Sequence, residues 1–139
     1  MFYFVEPEVA GGLGDGTIVD TNSHPPVVSS LEYRFEGWLG DNLLESFPCF
    51  IITESLAKKL LESKLTGSTF APVSVTKSEE FVELHPHISL PKFLWLKVEG
   101  SAGIDDFGLS VDHRLVVSQA ALDVLRTAQL DNADIEKYR

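Results

Sequence analysis

Cysteine, leader-like segments and long apolar runs are scarce or absent in this sequence. Cys49 is the only cysteine in 139 residues, which excludes an internal disulfide and a CxxC metal site and is typical of a small, inert core residue. The first residues lack the positive charge and apolar stretch of a secretory signal, and no apolar run approaches the ~18 residues that span a membrane. We therefore expect a cytoplasmic protein in a reducing compartment, without a membrane partner.

Basic residues are scarce as well. The chain has 11 Lys and Arg against 21 Asp and Glu, and its formal net charge is −10. Nucleic-acid binders neutralise phosphates with Lys and Arg, so a nucleic-acid partner is not expected. The first base is Arg34, and only acids carry charge before it. Such a field increases the rate of encounter with basic proteins, although a solvated acidic surface also keeps a protein soluble.

The composition is otherwise that of an average globular protein. With 44% hydrophobic and 23% charged residues the chain is expected to fold. A chain of this length buries roughly 70% of its unfolded surface, which suffices for a core without disulfides or metals. We therefore expect one α+β domain over residues 1–139.

Strand and helix patterns alternate along the chain. Clustered or alternating apolar, aromatic and β-branched residues predict strands at 2–5, 31–36, 70–76 and 93–98. The Gly-rich stretch 11–30 is predicted to be mostly loop, Ser78 to cap a short helix, and 130–139 to form a final turn or a frayed helix. Together these patterns predict an α+β fold, a mainly antiparallel sheet with two principal helices packed on one face, and 93–98 as a central strand.

A strand-to-helix segment recurs after 65 residues. Three apolar residues precede a hydroxyl residue, Thr53 or Ser118, which is expected to cap the helix that follows. The matching positions are Leu39, Asp41, Leu44, Phe50, Ile51, Ile52, Thr53, Leu60 and Leu65 in one copy and Ile104, Asp106, Leu109, Leu115, Val116, Val117, Ser118, Leu125 and Leu130 in the other. Gly67 and Asn132, which both tolerate the left-handed conformation, follow the helices. The recurrence favours an internal duplication or two uses of one packing solution, with chance similarity as the alternative.

Two groups of polar residues have the composition of a reactive site. Asp105, Asp106 and His113 offer carboxylates and an imidazole, which acid–base hydrolysis could use. His85 and His87 could give a metal ion two nitrogens. The alternatives are an ordinary turn, which the match of Asp106 to Asp41 favours, and a surface loop. A small hydrolase or metal-dependent enzyme is therefore an alternative hypothesis, and no metal or other cofactor is predicted.

Several segments of the chain carry a family resemblance. They are 50–57 (FIITESLA), 65–67 (LTG), 70–73 (FAPV), 81–85 (FVELH) and 105–108 (DDFG). In these segments, over about residues 35 to 138, the chain resembles small bacterial immunity proteins, including myxobacterial ones, which neutralise polymorphic toxins delivered between competing cells. The resemblance implies a non-enzymatic inhibitor that binds a cognate toxin in the cytoplasm of the producing cell and occludes its active site or holds it inactive.

The resemblance and the charge together predict an acidic surface for a basic protein toxin. A nuclease toxin presents basic surface to nucleic acid, and an acidic inhibitor can mimic the phosphates. The loop that contains Asp105, Asp106 and Asp112 is the first choice for this surface. The Gly-rich segment with Asp15 and Asp20 is the second.

Trp38 is the aromatic residue predicted to contribute to such a surface. It lies between Gly37 and Gly40, and Trp is enriched at binding hot spots. Packing in the core is the alternative for this residue. For the whole chain, an uncharacterised regulatory interaction module is the remaining alternative to an immunity protein and an enzyme.

Overall fold

The computed structural model describes all 139 residues, in thirteen strands and three helices. The strands are β1 (Phe2–Glu6), β2 (Gly11–Leu13), β3 (Ile18–Asp20), β4 (Val27–Ser30), β5 (Glu32–Phe35), β6 (Leu43–Ser46), β7 (Cys49–Thr53), β8 (Ser68–Ala71), β9 (Ser74–Lys77), β10 (Phe93–Val98), β11 (Phe107–Leu109), β12 (Leu115–Ser118) and β13 (Asp134–Lys137). The helices are α1 (Glu54–Glu62), α2 (Glu79–Leu84) and α3 (Gln119–Leu125). None of them has the length and apolar character that crossing a bilayer requires.

Two four-stranded antiparallel sheets share one strand arrangement. Their strand orders are β6-β7-β10-β8 and β11-β12-β1-β13. In each sheet a hairpin leads into a helix, α1 or α3, and the strand after the helix, β8 or β13, forms the far edge of the sheet. A fourth strand, β10 or β1, lies between the hairpin and that edge strand. The registers also correspond, because Phe93 lies opposite Thr53 in the first sheet and Phe2 lies opposite Ser118 in the second. The α+β class, the antiparallel pairing and the central position of 93–98 are therefore confirmed, and the recurring segment belongs to a recurring strand arrangement.

The two copies of this unit differ in their continuity along the chain. The first unit is continuous from β6 to β10, whereas the second runs from β11 to β13 and is completed by β1. β1 pairs with β12 on one side and β13 on the other. Tyr3 lies opposite Lys137, and the Tyr138 N–H donates to the Phe2 carbonyl. The two ends of the chain are therefore neighbours inside one sheet.

The strand register shows that the residues before the hairpin turns match one position away from where the sequence repeat places them. Phe107 lies opposite Val117 as Leu43 lies opposite Ile52, so the spacing is one residue shorter there. Asn42 rather than Asp41 is consequently the counterpart of Asp106. The physical reason is the β11–β12 turn, which is one residue longer than the two-residue β6–β7 turn.

One apolar core joins both helices to one face of each sheet. The helices contribute the same three positions, Leu56, Ala57 and Leu60 from α1 and Ala121, Leu122 and Leu125 from α3. Val5, Ile52 and Val117 contribute from the strands, and the two helices also contact each other. Burying each large apolar side chain stabilises the fold by about 1.5–3 kcal/mol, so this shared core is what holds the two units together.

A second layer, built from segments before and within the first unit, covers the other face of the first sheet. β2, β5 and β9 form a small sheet, in which β5 and β9 are parallel, and α2 adds the buried Phe81. Tyr33, Phe35, Phe81, Phe93 and Trp95 belong to the apolar cluster between this layer and the first sheet. Every residue of β7 is buried, as its unbroken apolar sequence predicts for a strand covered on both faces.

Some local predictions of secondary structure are wrong, because those segments form strands by pairing with partners elsewhere in the sequence. The 11–30 stretch contains β2, β3 and β4, and the 130–139 stretch contains β13 in place of a turn or helix. The predicted strand 70–76 is two strands, because the chain leaves the first sheet after Ala71 and pairs with β5 from Ser74. Gly67 has a positive φ of 94°, as the left-handed prediction requires, whereas Asn132 is not among the positive-φ residues.

The helix caps follow the predictions in two of three cases. Ser78 and Ser118 accept bonds from the N–H groups of Phe81 and Ala121. Thr53 makes no such bond, and its hydroxyl donates to the Asn42 side chain at 2.9 Å.

Two aspartates, the junction aspartates Asp41 and Asp106, each tie one unit to the loop behind the helix of the other unit. Fully buried Asp41 accepts bonds from the Asn132 N–H at 2.8 Å, the Asn132 amide at 2.9 Å and the Gln129 amide at 3.2 Å. Asp106 accepts bonds from the Thr66 N–H at 2.9 Å and the Thr66 hydroxyl at 3.2 Å. Neither carboxylate forms an ion pair, so neutral donors alone stabilise both charges.

Replacing Asp41 by Ala is expected to lower the free energy of unfolding by about 2–4 kcal/mol, because the Asn132 N–H and the two amides lose a charged acceptor. Urea unfolding at pH 7 measures this loss. Asp123→Ala, at an exposed acid of α3, is the control and should change stability by about 0.5 kcal/mol or less. Equal losses for the two variants would contradict the role given to Asp41.

A circular permutant tests the split second unit. Joining Arg139 to Met1 by a short Gly-Ser linker and opening the chain between Pro86 and His87, both exposed, should give a folded protein. Its free energy of unfolding should lie within about 2 kcal/mol of that of the parent, because only loop closure changes. An opening inside β10, between Trp95 and Leu96, is the control that should not fold. Far-UV circular dichroism and urea unfolding compare the three chains.

Candidate functional site

A groove lies between the two hairpin turns, at one end of the first sheet. Its volume is about 180 Å³. The β6–β7 turn, the end of β10, the β11–β12 hairpin and the segment ahead of β4 enclose it, and the apolar walls include Pro25, Pro26, Phe47, Pro48, Val98 and Leu109. We call it the hairpin groove. The two-residue turn of the β6–β7 hairpin leaves Phe47 48% exposed beside it.

Charged residues also line the hairpin groove. Lys97 holds its ammonium 4.9 Å from the centre of the Trp95 ring, a cation–π arrangement. Glu99 accepts a bond from the Thr69 hydroxyl at 3.1 Å. Glu45 differs from both, because its carboxylate forms no ion pair and accepts no hydrogen bond.

The surroundings of Glu45 disfavour its charged form. Burial, and next the negative charge of Glu6, raise the pKa of the Glu45 carboxyl above its usual value. No cation contributes in the opposite direction, although Lys97 lines the same groove. The protein therefore holds a partly desolvated carboxylate beside a second acid without a counter-charge.

The size of the hairpin groove limits what it can hold. Pockets for small-molecule substrates and cofactors usually measure roughly 300–1,000 Å³. At about 180 Å³ this groove is smaller and suits one protruding side chain.

The two acidic segments predicted from the sequence meet beside the groove. The His24 ring, ahead of β4, packs edge-on against the His113 ring of the β11–β12 turn at 5.7 Å. The exposed Asp20 lies on the same hairpin as His24, and Asp112 lies in the same turn as His113. The Asp112 carboxylate accepts a bond from the Ser110 hydroxyl and pairs with Arg114 at 2.9 Å, which lowers its pKa. A binding role for both acids stays a prediction.

The remaining acids of the predicted surface lie apart from this meeting point. Asp15 is almost fully exposed and lies 3.5 Å from Arg34, with which it pairs. Asp105 accepts a bond from the Ser101 N–H at 2.8 Å, which closes the turn ahead of β11.

Asp106 has the structural role expected of it, although its counterpart in the repeat is Asn42 and not Asp41. Burial opposes its ionisation, but bonds from Ser118, at 2.6 Å, and from Thr66 outweigh burial and lower its pKa. No hydrogen bond or ion pair joins His113 to Asp105 or Asp106, so the three residues of the hydrolase alternative are not assembled into one site.

The two histidines of the metal-site alternative are exposed. His85 packs its ring against Phe81 at 5.5 Å between centroids, and His87 lies in the following loop. No group of three or more His, Cys, Asp and Glu side chains is arranged to hold a metal ion.

Trp38 and Cys49 both belong to the apolar cluster beside the first sheet. The Trp38 ring is half-buried and meets Phe93 edge-on at 6.1 Å, and its Nε1–H donates to the Asp41 carbonyl at 2.9 Å. Core packing, the alternative given for Trp38, accounts for these contacts. Cys49 is buried, and burial raises the pKa of its thiol to about 11, as expected of an inert core residue.

Sequence reasoning missed Glu45 and Phe47. Both belong to the apolar-rich stretch 43–52. The only local signal of a turn there is the aromatic residue Phe47 followed by Pro48. The chain matches no known family model, and comparisons with curated proteins and solved structures find no significant similarity.

Replacing Asp106 by Asn is expected to change how stability depends on acid pH. The folded-state pKa of Asp106 is lowered, so the charged carboxylate stabilises the fold above its unfolded pKa of about 4 and loses that effect as the pH falls through the folded value. The stability difference between wild type and Asp106→Asn should therefore be constant from about pH 6 to 5 and shrink below about pH 4.

Urea unfolding between pH 6 and 3 measures this difference. Ser118→Ala, which removes one of the bonds that lower the pKa, should show a smaller change of the same sign. A difference that stays constant down to pH 3 would show that Asp106 has no lowered pKa.

Proposed function

We propose that this chain is a non-enzymatic inhibitor that binds one cationic protein toxin and neutralises it, as immunity proteins do. The observation that carries the proposal is the state of the acidic surface. Most of the 21 acidic side chains are exposed, and only four of them, Asp15, Glu32, Glu54 and Asp112, take part in ion pairs. The exposed negative charge is therefore largely uncompensated within the molecule.

An uncompensated negative surface favours a basic protein over other partners. It repels phosphate backbones, whereas it steers a basic protein into contact and can raise the association rate by roughly 10- to 1,000-fold at low salt. Specific retention then needs a few buried anchors within a larger interface. The acidic segments around Asp20 and Asp112 meet beside an apolar groove, which offers both kinds of contact close together.

Three of the four carboxylates with shifted pKa values are moved away from acid–base chemistry, and the fourth, Glu45, has a raised pKa. The pKa values of Glu32, Asp106 and Asp112 are all lowered, by hydrogen bonds and, for Glu32 and Asp112, also by Arg34 and Arg114. A general acid or base works best with a pKa near the working pH, so these shifts move the three groups away from that role. The resemblance to immunity proteins in the segments at 50–57, 65–67, 70–73, 81–85 and 105–108 points in the same direction.

Co-expression with a candidate toxin gene tests the proposal. The chain should restore growth of cells that produce the toxin, and the purified pair should form a complex whose association rate falls by about tenfold or more between 50 and 500 mM salt. Toxin activity in vitro should be abolished at one equivalent of inhibitor. Failure to restore growth would contradict the proposal, and so would time-dependent inactivation of excess toxin by a small amount of the chain, because that indicates turnover.

A further inference from the structure

We propose that the hairpin groove is the docking site for one protruding Arg or Lys side chain of the cationic partner. This inference rests on the proposed function and names the anchor of that interface. It follows from three observations: the apolar walls of the groove, the unpaired carboxylate of Glu45, and the net negative charge of the whole molecule.

The walls suit the aliphatic part of a basic side chain. Phe47, Pro48, Pro26 and Leu109 are among the apolar residues that line the groove, and Phe47 is half exposed. Arg and Lys side chains bury their methylene stems against apolar surface and keep the charged end near polar groups. A volume of about 180 Å³ accommodates such a stem and is too small for most substrates.

Glu45 supplies the missing counter-charge for the end of that side chain. It is the carboxylate of the groove that accepts no hydrogen bond and forms no ion pair, and Glu6 adds a second negative charge nearby. A guanidinium can donate two parallel bonds to one carboxylate, and an ammonium can act as a point charge. The cation that the groove already contains, Lys97, is stacked on Trp95 and leaves Glu45 unpaired.

Net charge decides between possible occupants. A second copy of this chain would bring another −10 to the interface, so self-association through the groove is disfavoured. An acidic or neutral peptide would leave Glu45 desolvated without compensation. A basic protein provides the complementary charge both at the groove and over the surrounding surface.

Keeping Glu45 works against stability, which is a common property of binding residues. Because its pKa is raised in the folded state, its charged form weakens the fold at neutral pH, and Glu45→Gln should unfold at a higher temperature than wild type. The same substitution removes the charge that a partner needs. Stability and binding should therefore change in opposite directions, which misfolding cannot produce.

The experiment compares groove variants with matched controls in the growth assay and in binding to the purified toxin. Glu45→Gln and Phe47→Ser should each weaken binding by at least tenfold, about 1.4 kcal/mol. The controls are Glu83→Gln and Leu84→Ser, an exposed acid and an exposed apolar residue of α2, and they should bind within about twofold of wild type. Groove variants that bind like wild type, while wild type itself restores growth, would overturn the groove assignment and leave the proposed function intact.

A peptide titration tests the groove independently of the toxin. The ¹⁵N-labelled protein is titrated with acetyl-Leu-Arg-Leu-amide, and acetyl-Leu-Glu-Leu-amide is the control. The Arg peptide should shift the amide signals of Glu45, Phe47 and Lys97 in wild type but not in Glu45→Gln, and the Glu peptide should shift none of them. Equal shifts with both peptides, no shifts, or concentration-dependent dimerisation through the groove would overturn the inference even if the growth assay succeeds.

Discussion

The fold depends on carboxylates, two of them buried, that are stabilised by neutral N–H and O–H donors. Asp41 is fully buried without a cation and is held by Asn132 and Gln129, while Asp106 is held by Thr66 and Ser118. Glu8 extends the same arrangement, because its buried carboxylate accepts the N–H groups of Leu39 and Asp41. Each bond of this kind fixes a loop whose own backbone groups have no partner in a helix or strand. These carboxylates fix the loops at the junction, and the shared apolar core holds the two units together.

A carboxylate at the surface groove, that of Glu45, lacks the hydrogen bonds that the interior carboxylates have. Inside, every buried side-chain oxygen and nitrogen has a hydrogen-bond partner. At the hairpin groove, Glu45 is partly desolvated and has none. The interior of the fold leaves no buried polar side-chain atom without a hydrogen bond, whereas the half-buried Glu45 carboxylate at the groove has none. The unfavourable burial of charge therefore lies where a binding partner can compensate it.

Local patterns were sufficient for the elements that bury a continuous or periodic apolar face. The Phe93–Val98 strand, the repeated strand-to-helix segments and the Ser118 cap all follow from neighbours in sequence. The short strands between 11 and 30 and the strand at Asp134 do not, since their hydrogen bonds come from partners far away in the chain. The one-residue shift that replaces Asp41 by Asn42 as the counterpart of Asp106 depends on the length of a turn, which the sequence repeat alone does not reveal.

The candidate site was predictable only in part, for a related reason. An excess of exposed acids can be read from composition, and the acidic segments around Asp20 and Asp112 do approach each other. The groove itself brings together four separate parts of the chain, and the unpaired state of Glu45 is a property of their packing. Which carboxylate is satisfied and which is free is decided by tertiary structure.

The split second unit has a consequence for how the protein is made. On the ribosome, β1 emerges long before β12 and β13, the two strands that flank it, and at about 5–20 residues per second the delay is on the order of ten seconds. During that time a strand with the sequence FYFVE exposes both of its edges and its aromatic side chains. The nascent chain is therefore prone to aggregation at this segment, and factors that bind unfolded chains during translation should recognise it.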